Sequence, residues 1–319
     1  MDHGQHSGMW VPDEPPTWGR MFQVHLDAWS VLAVLSLIGL VVYLLAVVRL
    51  RRTGVRWPWW RTASWIVGTL SIFAVTGTWL NGYSMVLFSL HMVQHMVLAM
   101  ITPIFLLLAA PVTLALRTLP RGQGAAGAPR ALLLNLLHSR VGRFLAAPAF
   151  TVPLFIASLY GIYFTPIFDA LMSTAPGHQF MLAHFVVTGV LFFGPIIAQD
   201  PWPHTHSHPM RILELVIPVP FHAFFGVAVM IASTLLVDSF ANPPAEWRID
   251  PVGDQTVAGG IAWSFGELPT VIVLLVVLIA WMGSDERRAR ALDRAAERDG
   301  DAELNAYNAR LRALAEQHR

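Results

Sequence analysis

Apolar residues run along the chain in blocks of about twenty, separated by short segments rich in Arg, Pro and Gly. At about 1.5 Å of helix rise per residue, such blocks match the hydrocarbon thickness of a bilayer. Seven spans are predicted, over residues 29–48, 63–80, 86–110, 144–164, 180–198, 212–237 and 257–282. The expected fold class is therefore all-α: a polytopic integral membrane protein built as a seven-transmembrane-helix bundle over residues 25–283. Residues 1–24 are rich in His and Pro and lack a basic stretch ahead of an apolar run, so they read as a short tail rather than a cleaved signal. Residues 284–319 mix Arg and acidic residues with Ala and Leu at helical spacings, which predicts a solvated charged helix. No inverted repeat of the transporter kind is visible.

Charge fixes an expected orientation. All 21 basic residues are Arg. With the amino terminus outside, 19 of them fall in cytoplasmic connectors and the carboxyl-terminal tail, leaving Arg20 and Arg248 outside. The amino end is thus expected outside and the carboxyl end inside. The absence of Lys excludes a retinal Schiff base. The absence of Cys excludes disulfides and thiolate metal sites, so any metal must be held by His, Met, carboxylate or backbone.

Ionisable residues within lipid are costly and mark functional sites. His91 and His95 are i and i+4, so their imidazoles project from one helix face about 6 Å apart along the axis, a metal-ligand spacing. Met92, Met96 and Met100 follow the same step, and thioether sulfur beside imidazole nitrogen favours copper(I). His184 is expected in the same outer half, and His222 and Glu267 near the middle of their spans. Gln94 or Glu267 would orient an imidazole. Pro218 and Pro220 loosen the backbone beside His222. A single buried His is most often a hydrogen-bonded packing residue, but four on three segments that approach one zone point to a metal or cofactor. Outside the lipid, Met1-Asp2-His3 has the spacing of an amino-terminal copper(II) motif, with His6 and Met9 close behind. The connector holding His204, His206 and His208 reads as a surface loop.

The run Phe88-Ser-Leu-His-Met-Val-Gln-His-Met-Val-Leu98, with Pro111 beyond it, resembles the His-Met-x-x-His signature of the CtaG membrane family of cytochrome c oxidase assembly factors. His184 followed by Gln199-Asp200-Pro201, Pro220-Phe-His222-Ala-Phe-Phe-Gly226, and Asp254-Gln255 with Ala258-Gly-Gly-Ile-Ala-Trp263 are similar too. The resemblance covers about residues 20–283. It implies a non-enzymatic, multi-pass protein of the bacterial plasma membrane that helps to mature a haem-copper oxidase by delivering copper to its catalytic subunit. The functional weight then falls on His91, His95, His184 and His222, and less on Asp254 and Glu267. An extracytoplasmic copper donor is the further partner implied. An unrelated single-span chaperone with Cys ligands shares the family's name and is excluded here. Two other readings stay open: a haem-binding or electron-transfer protein with His axial ligands, and a copper permease.

Overall fold

The computed structural model describes residues 9–122, 124, 127–203, 206–298 and 302–317, and among these every regular element is a helix. The chain divides into two compact units, Met1–Val273 and Leu274–Arg319. All the histidines predicted within spans lie in the first.

The principal helices are α1 (Val31–Arg52), α2 (Trp59–Thr76), α3 (Phe88–Met96), α4 (Thr102–Leu108), α5 (Pro148–Tyr163), α6 (Ala175–Ile197), α7 (His208–Val216), α8 (Pro218–Ile231), α9 (Pro251–Arg298) and α10 (Ala302–Gln317). Five stretches are long and apolar enough to cross a membrane: Val31–Arg52, Phe88–Thr118, Ala175–Ile197, His208–Ile231 and Pro251–Ala291. The remaining two of the seven expected spans are helical but fall short. α2 opens on Trp59-Trp-Arg-Thr and carries Ser64, Thr69 and Ser71, too polar for the lipid criterion, while α5 has 16 residues and stops where Thr165-Pro166 follows. The sixth helix ends at Ile231 rather than near residue 237. Beyond it, Gln255 ties down the loop, accepting from the Leu236 N–H at 2.9 Å and donating to the Thr234 carbonyl at 3.0 Å.

α1 packs on α2, α2 on the α3–α4 stretch, and α6 on that same stretch and on α5. The division between lipid-facing and central helices follows composition: 22% of the apolar window of α1 is buried, against 56% for α6 and 50% for Phe88–Thr118. The stretches bearing His91, His95 and His184 are thus more enclosed by protein than α1.

Between α3 and α4 the chain makes a π-helical turn, Val97–Ile101. Pro103 has no N–H to offer the Ala99 carbonyl, so the turn widens there. α6 closes on the widened turn at Gly189, where a Cβ would collide with the Ala99 carbonyl oxygen and the Pro103 ring. Gly189→Ala is expected to destabilise the protein by about 1–3 kcal/mol through overpacking, read as a lower Tm in detergent. An unchanged Tm would show that the two helices can separate freely.

At the amino-terminal end of the bundle, residues 9–24 fold over the short helix Trp79–Tyr83 rather than hanging free. Tyr83 Oη donates to the Glu14 carbonyl at 3.0 Å, Trp247 Nε1 to the Asp13 carbonyl at 3.3 Å, and Gly82 leaves room for Trp10 and Pro12. Arg20 pairs with Glu14. His3 and His6 lie outside the described residues. In the second unit, the charged tail is helical as expected, with an Arg290–Glu286 ion pair at i,i+4.

Candidate metal centre

The orientation of α3 is set at both its start and its back. Asp254 Oδ2 accepts the Ser89 N–H at 3.1 Å, satisfying one of the free donors of the first turn. Gln94, expected to orient an imidazole, instead faces away from the histidines. Its Nε2 donates to the Val75 carbonyl at 2.7 Å and to Asn81 Oδ1 at 2.8 Å, and its Oε1 accepts from Ser84 Oγ at 3.0 Å. That amide is fully engaged and locks the helix against α2. Asp254, given a share of the function by resemblance, is placed by the structure as a cap. Asp254→Ala is expected to cost about 1 kcal/mol without removing a donor from the cavity described below, measured as a Tm shift with metal stoichiometry unchanged.

With the back of α3 fixed, His91 and His95 share its other face, as the i,i+4 spacing predicts. Both rings reach a single hydroxyl: Tyr163 Oη, at the end of α5, lies 3.1 Å from His91 Nε2 and 2.7 Å from His95 Nδ1. The His95 ring is stacked between Phe185, 4.0 Å away with 4° between planes, and Tyr163, 5.4 Å away with 3° between planes. His91 is fully buried and packs edge-on against Phe168 at 5.0 Å.

A phenol carries one proton, so it donates to one ring and accepts from the other. His91 Nδ1 has no hydrogen-bond partner among the described residues. Where Tyr163 donates to His91 Nε2 and accepts from His95 Nδ1–H, His95 Nε2 keeps a free lone pair, the form in which imidazole binds a metal.

Below this network lies a cavity of about 20 Å³, lined by His95, Met96, Met100 and His222 together with aromatic and aliphatic side chains. His222 Nδ1 is buried without a hydrogen-bond partner among the described residues, and the ring sits flush against Gly266, where a Cβ would strike it. A smaller cavity of about 10 Å³ shares Met100 and His222 and reaches Glu267. His184 is half-buried at the rim, with Nε2 2.9 Å from Ser158 Oγ and 3.4 Å from Thr188 Oγ1, both of which line the larger cavity. Met92 is buried but does not line it.

His91 meets His95 at the Tyr163 hydroxyl, and His222 shares the larger cavity with it. Among the described residues, however, no three His, Asp or Glu side chains are arranged to hold one metal ion. The nitrogen and sulfur donors that share a single cavity are two imidazoles and two thioethers, with the hydroxyls of Ser158 and Thr188 beside them.

A family model for the cytochrome c oxidase caa3 assembly factor (Caa3_CtaG) matches residues 41–284. The chain belongs to this assembly-factor family. The match takes in His91, His95, His184 and His222 and leaves out residues 9–40. Curated relatives extend further: uncharacterized proteins of Mycobacterium bovis and Mycobacterium tuberculosis are each 40% identical over 312 residues, 96% of this chain and 47% of theirs. One of Mycobacterium leprae is 38% identical over 310 residues, with the same coverage. The chain spans about half the length of these relatives. No solved structure matches it.

Three further groups become visible only in the structure. Tyr163 looks like an ordinary aromatic at a span end, and His178, fully buried on α6, sits outside the predicted fifth span. Glu214 is a lone acid in an apolar run. It is buried at 1% exposure, with His206 Nδ1 2.7 Å from Oε1, and like Glu267 it is a carboxylate within an apolar span that hydropathy alone could have flagged.

Proposed function

We propose that this assembly factor binds copper(I) within its helix bundle and passes it to the catalytic subunit of a haem-copper oxidase in the bacterial plasma membrane. The observation that carries the reading is the cavity shared by His95, His222, Met96 and Met100. Copper(I) is soft and accepts low coordination numbers, and neutral imidazole with thioether sulfur is a donor set suited to it over zinc or magnesium. Among the described residues no carboxylate lines that cavity, so these donors are neutral and leave a bound ion its single positive charge. The volume, about 20 Å³, suits an ion or one water rather than a macrocycle.

The residues divide the work. His95 Nε2, freed by the Tyr163 link, and His222 supply nitrogen, while Met96 and Met100 supply weaker sulfur bonds that can be exchanged during transfer. His184 and His91 hold neighbouring groups in place. No nucleophile or acid–base step is required, in keeping with a carrier rather than an enzyme. With the amino end outside, as the Arg distribution favours, copper enters from an extracytoplasmic donor and leaves sideways through the bilayer-facing helices.

Elemental analysis of the purified protein after copper(I) loading tests this. The parent is expected to retain at least about one ion per chain, His95→Ala and His222→Ala to lose most of one equivalent, and His184→Ala to keep most of it. Equal copper in the parent and in both of the first two variants would reject the assignment. A Soret band in the isolated protein would favour haem instead, and copper uptake by vesicles lacking any oxidase would favour a permease.

A further inference from the structure

The cavity at the amino-terminal end of the bundle repeats the donor chemistry of the inner one with different residues. We infer that Met9, His25, Met85 and His178 form a second copper(I) site there, separate from the inner cavity. These four side chains line a space of about 10 Å³. They come from three segments far apart in the sequence: the folded residues 9–25, the turn after Trp79–Tyr83, and the first turns of α6.

Each donor is held where it is. The His25 ring stacks on Trp10 at 3.8 Å with 19° between planes, and its backbone N–H donates to the Gly77 carbonyl at 3.0 Å. Its Nε2 is buried and has no hydrogen-bond partner among the described residues. A buried polar atom left so costs roughly 1–3 kcal/mol, a deficit that a bound cation removes. Met85 and His178 are almost wholly buried, at 1% and 0% exposure, so an ion between them is shielded from water.

Two of the harder donor atoms at this cavity are engaged within the protein. Asp27 Oδ1 accepts from the Trp29 N–H at 3.0 Å and from Ser30 Oγ at 2.8 Å, closing its own turn. Asn81 Oδ1 accepts from Gln94 at 2.8 Å. The imidazoles and thioethers are the soft part of the lining, a set that favours copper(I) over calcium or magnesium.

Position gives the site its role. His178 lies in the first turns of α6, and two turns further along the same helix Phe185 stacks on His95 of the inner cavity. The outer site therefore stands at the head of a path leading inward. Its function as an entry site rests on the copper reading of the inner cavity, whereas its existence as a metal site does not.

The test is a copper(I) titration of the full chain in detergent under reducing conditions, against bicinchoninate as competing chelator, with silver(I) as a redox-inert check. The parent is expected to bind about two ions, and His25→Phe, which keeps the stack on Trp10, about one. Met9→Leu, at a partly exposed position that leaves the fold intact, is expected to weaken the same equivalent at least tenfold. His222→Ala should remove the other equivalent. Full parental binding in both His25→Phe and Met9→Leu overturns the outer site. If His222→Ala changes nothing while His25→Phe abolishes the binding, the outer site stands and the inner one fails.

Discussion

Tyr163→Phe is expected to weaken copper(I) binding at the inner cavity by about 10- to 100-fold although every proposed ligand is retained. Among the described residues, the hydroxyl is the only group hydrogen-bonded to both His91 Nε2 and His95 Nδ1, at 3.1 and 2.7 Å. Without it, two buried ring nitrogens lose their partner, each at roughly 1–3 kcal/mol, and His95 is free to take the tautomer that blocks Nε2. Phe keeps the ring stacked beside His95, so the effect isolates the hydrogen bonds from the packing. The measurement is competition titration together with a melting curve. Lower stability with unchanged affinity would make Tyr163 structural only, and the tautomer argument would fall.

Gly266→Ala should remove the inner copper almost as completely as deleting His222, without touching a donor atom. The added methyl strikes the His222 ring and pushes the imidazole out of line with His95, while overpacking costs about 1–3 kcal/mol. Gly260→Ala on the same helix is the control, because a Cβ there meets nothing within 4 Å. Elemental analysis of the two variants should show copper lost in the first and kept in the second. Equal copper in both would mean that the position of His222 is immaterial.

The part of this centre that could be read from the chain is the part carried by one helix. The four-residue step of His91 and His95 places two rings on one face whatever surrounds them, and the structure has both on the Tyr163 hydroxyl. The Met stripe obeyed that rule only in part. Met96 and Met100 line the cavity while Met92 does not, because cavity position depends on α5, α6 and α8 as well as on α3. Pro103 was visible in the sequence, but that it would open a π turn depends on Gly189 of α6 packing there. Tyr163, His178 and His25 acquire meaning only through partners on other segments, and no local spacing announces such a meeting. Each of the seven predicted spans contains helix, but five stretches are long and apolar enough to cross a membrane, because α2 is too polar and α5 stops early. Asp254 carried a signal for a reason other than the one expected: a carboxylate that caps the histidine helix is as constrained as one that binds an ion.

Copper K-edge X-ray absorption of the reduced protein, loaded through the competing chelator, tests the central claim most directly. The account predicts imidazole nitrogen and thioether sulfur together around copper(I) in His25→Phe, where only the inner cavity remains, with the sulfur contribution diminished by Met96→Leu and the imidazole contribution by His222→Ala. A first shell of oxygen alone, or a spectrum indifferent to both substitutions, would contradict it.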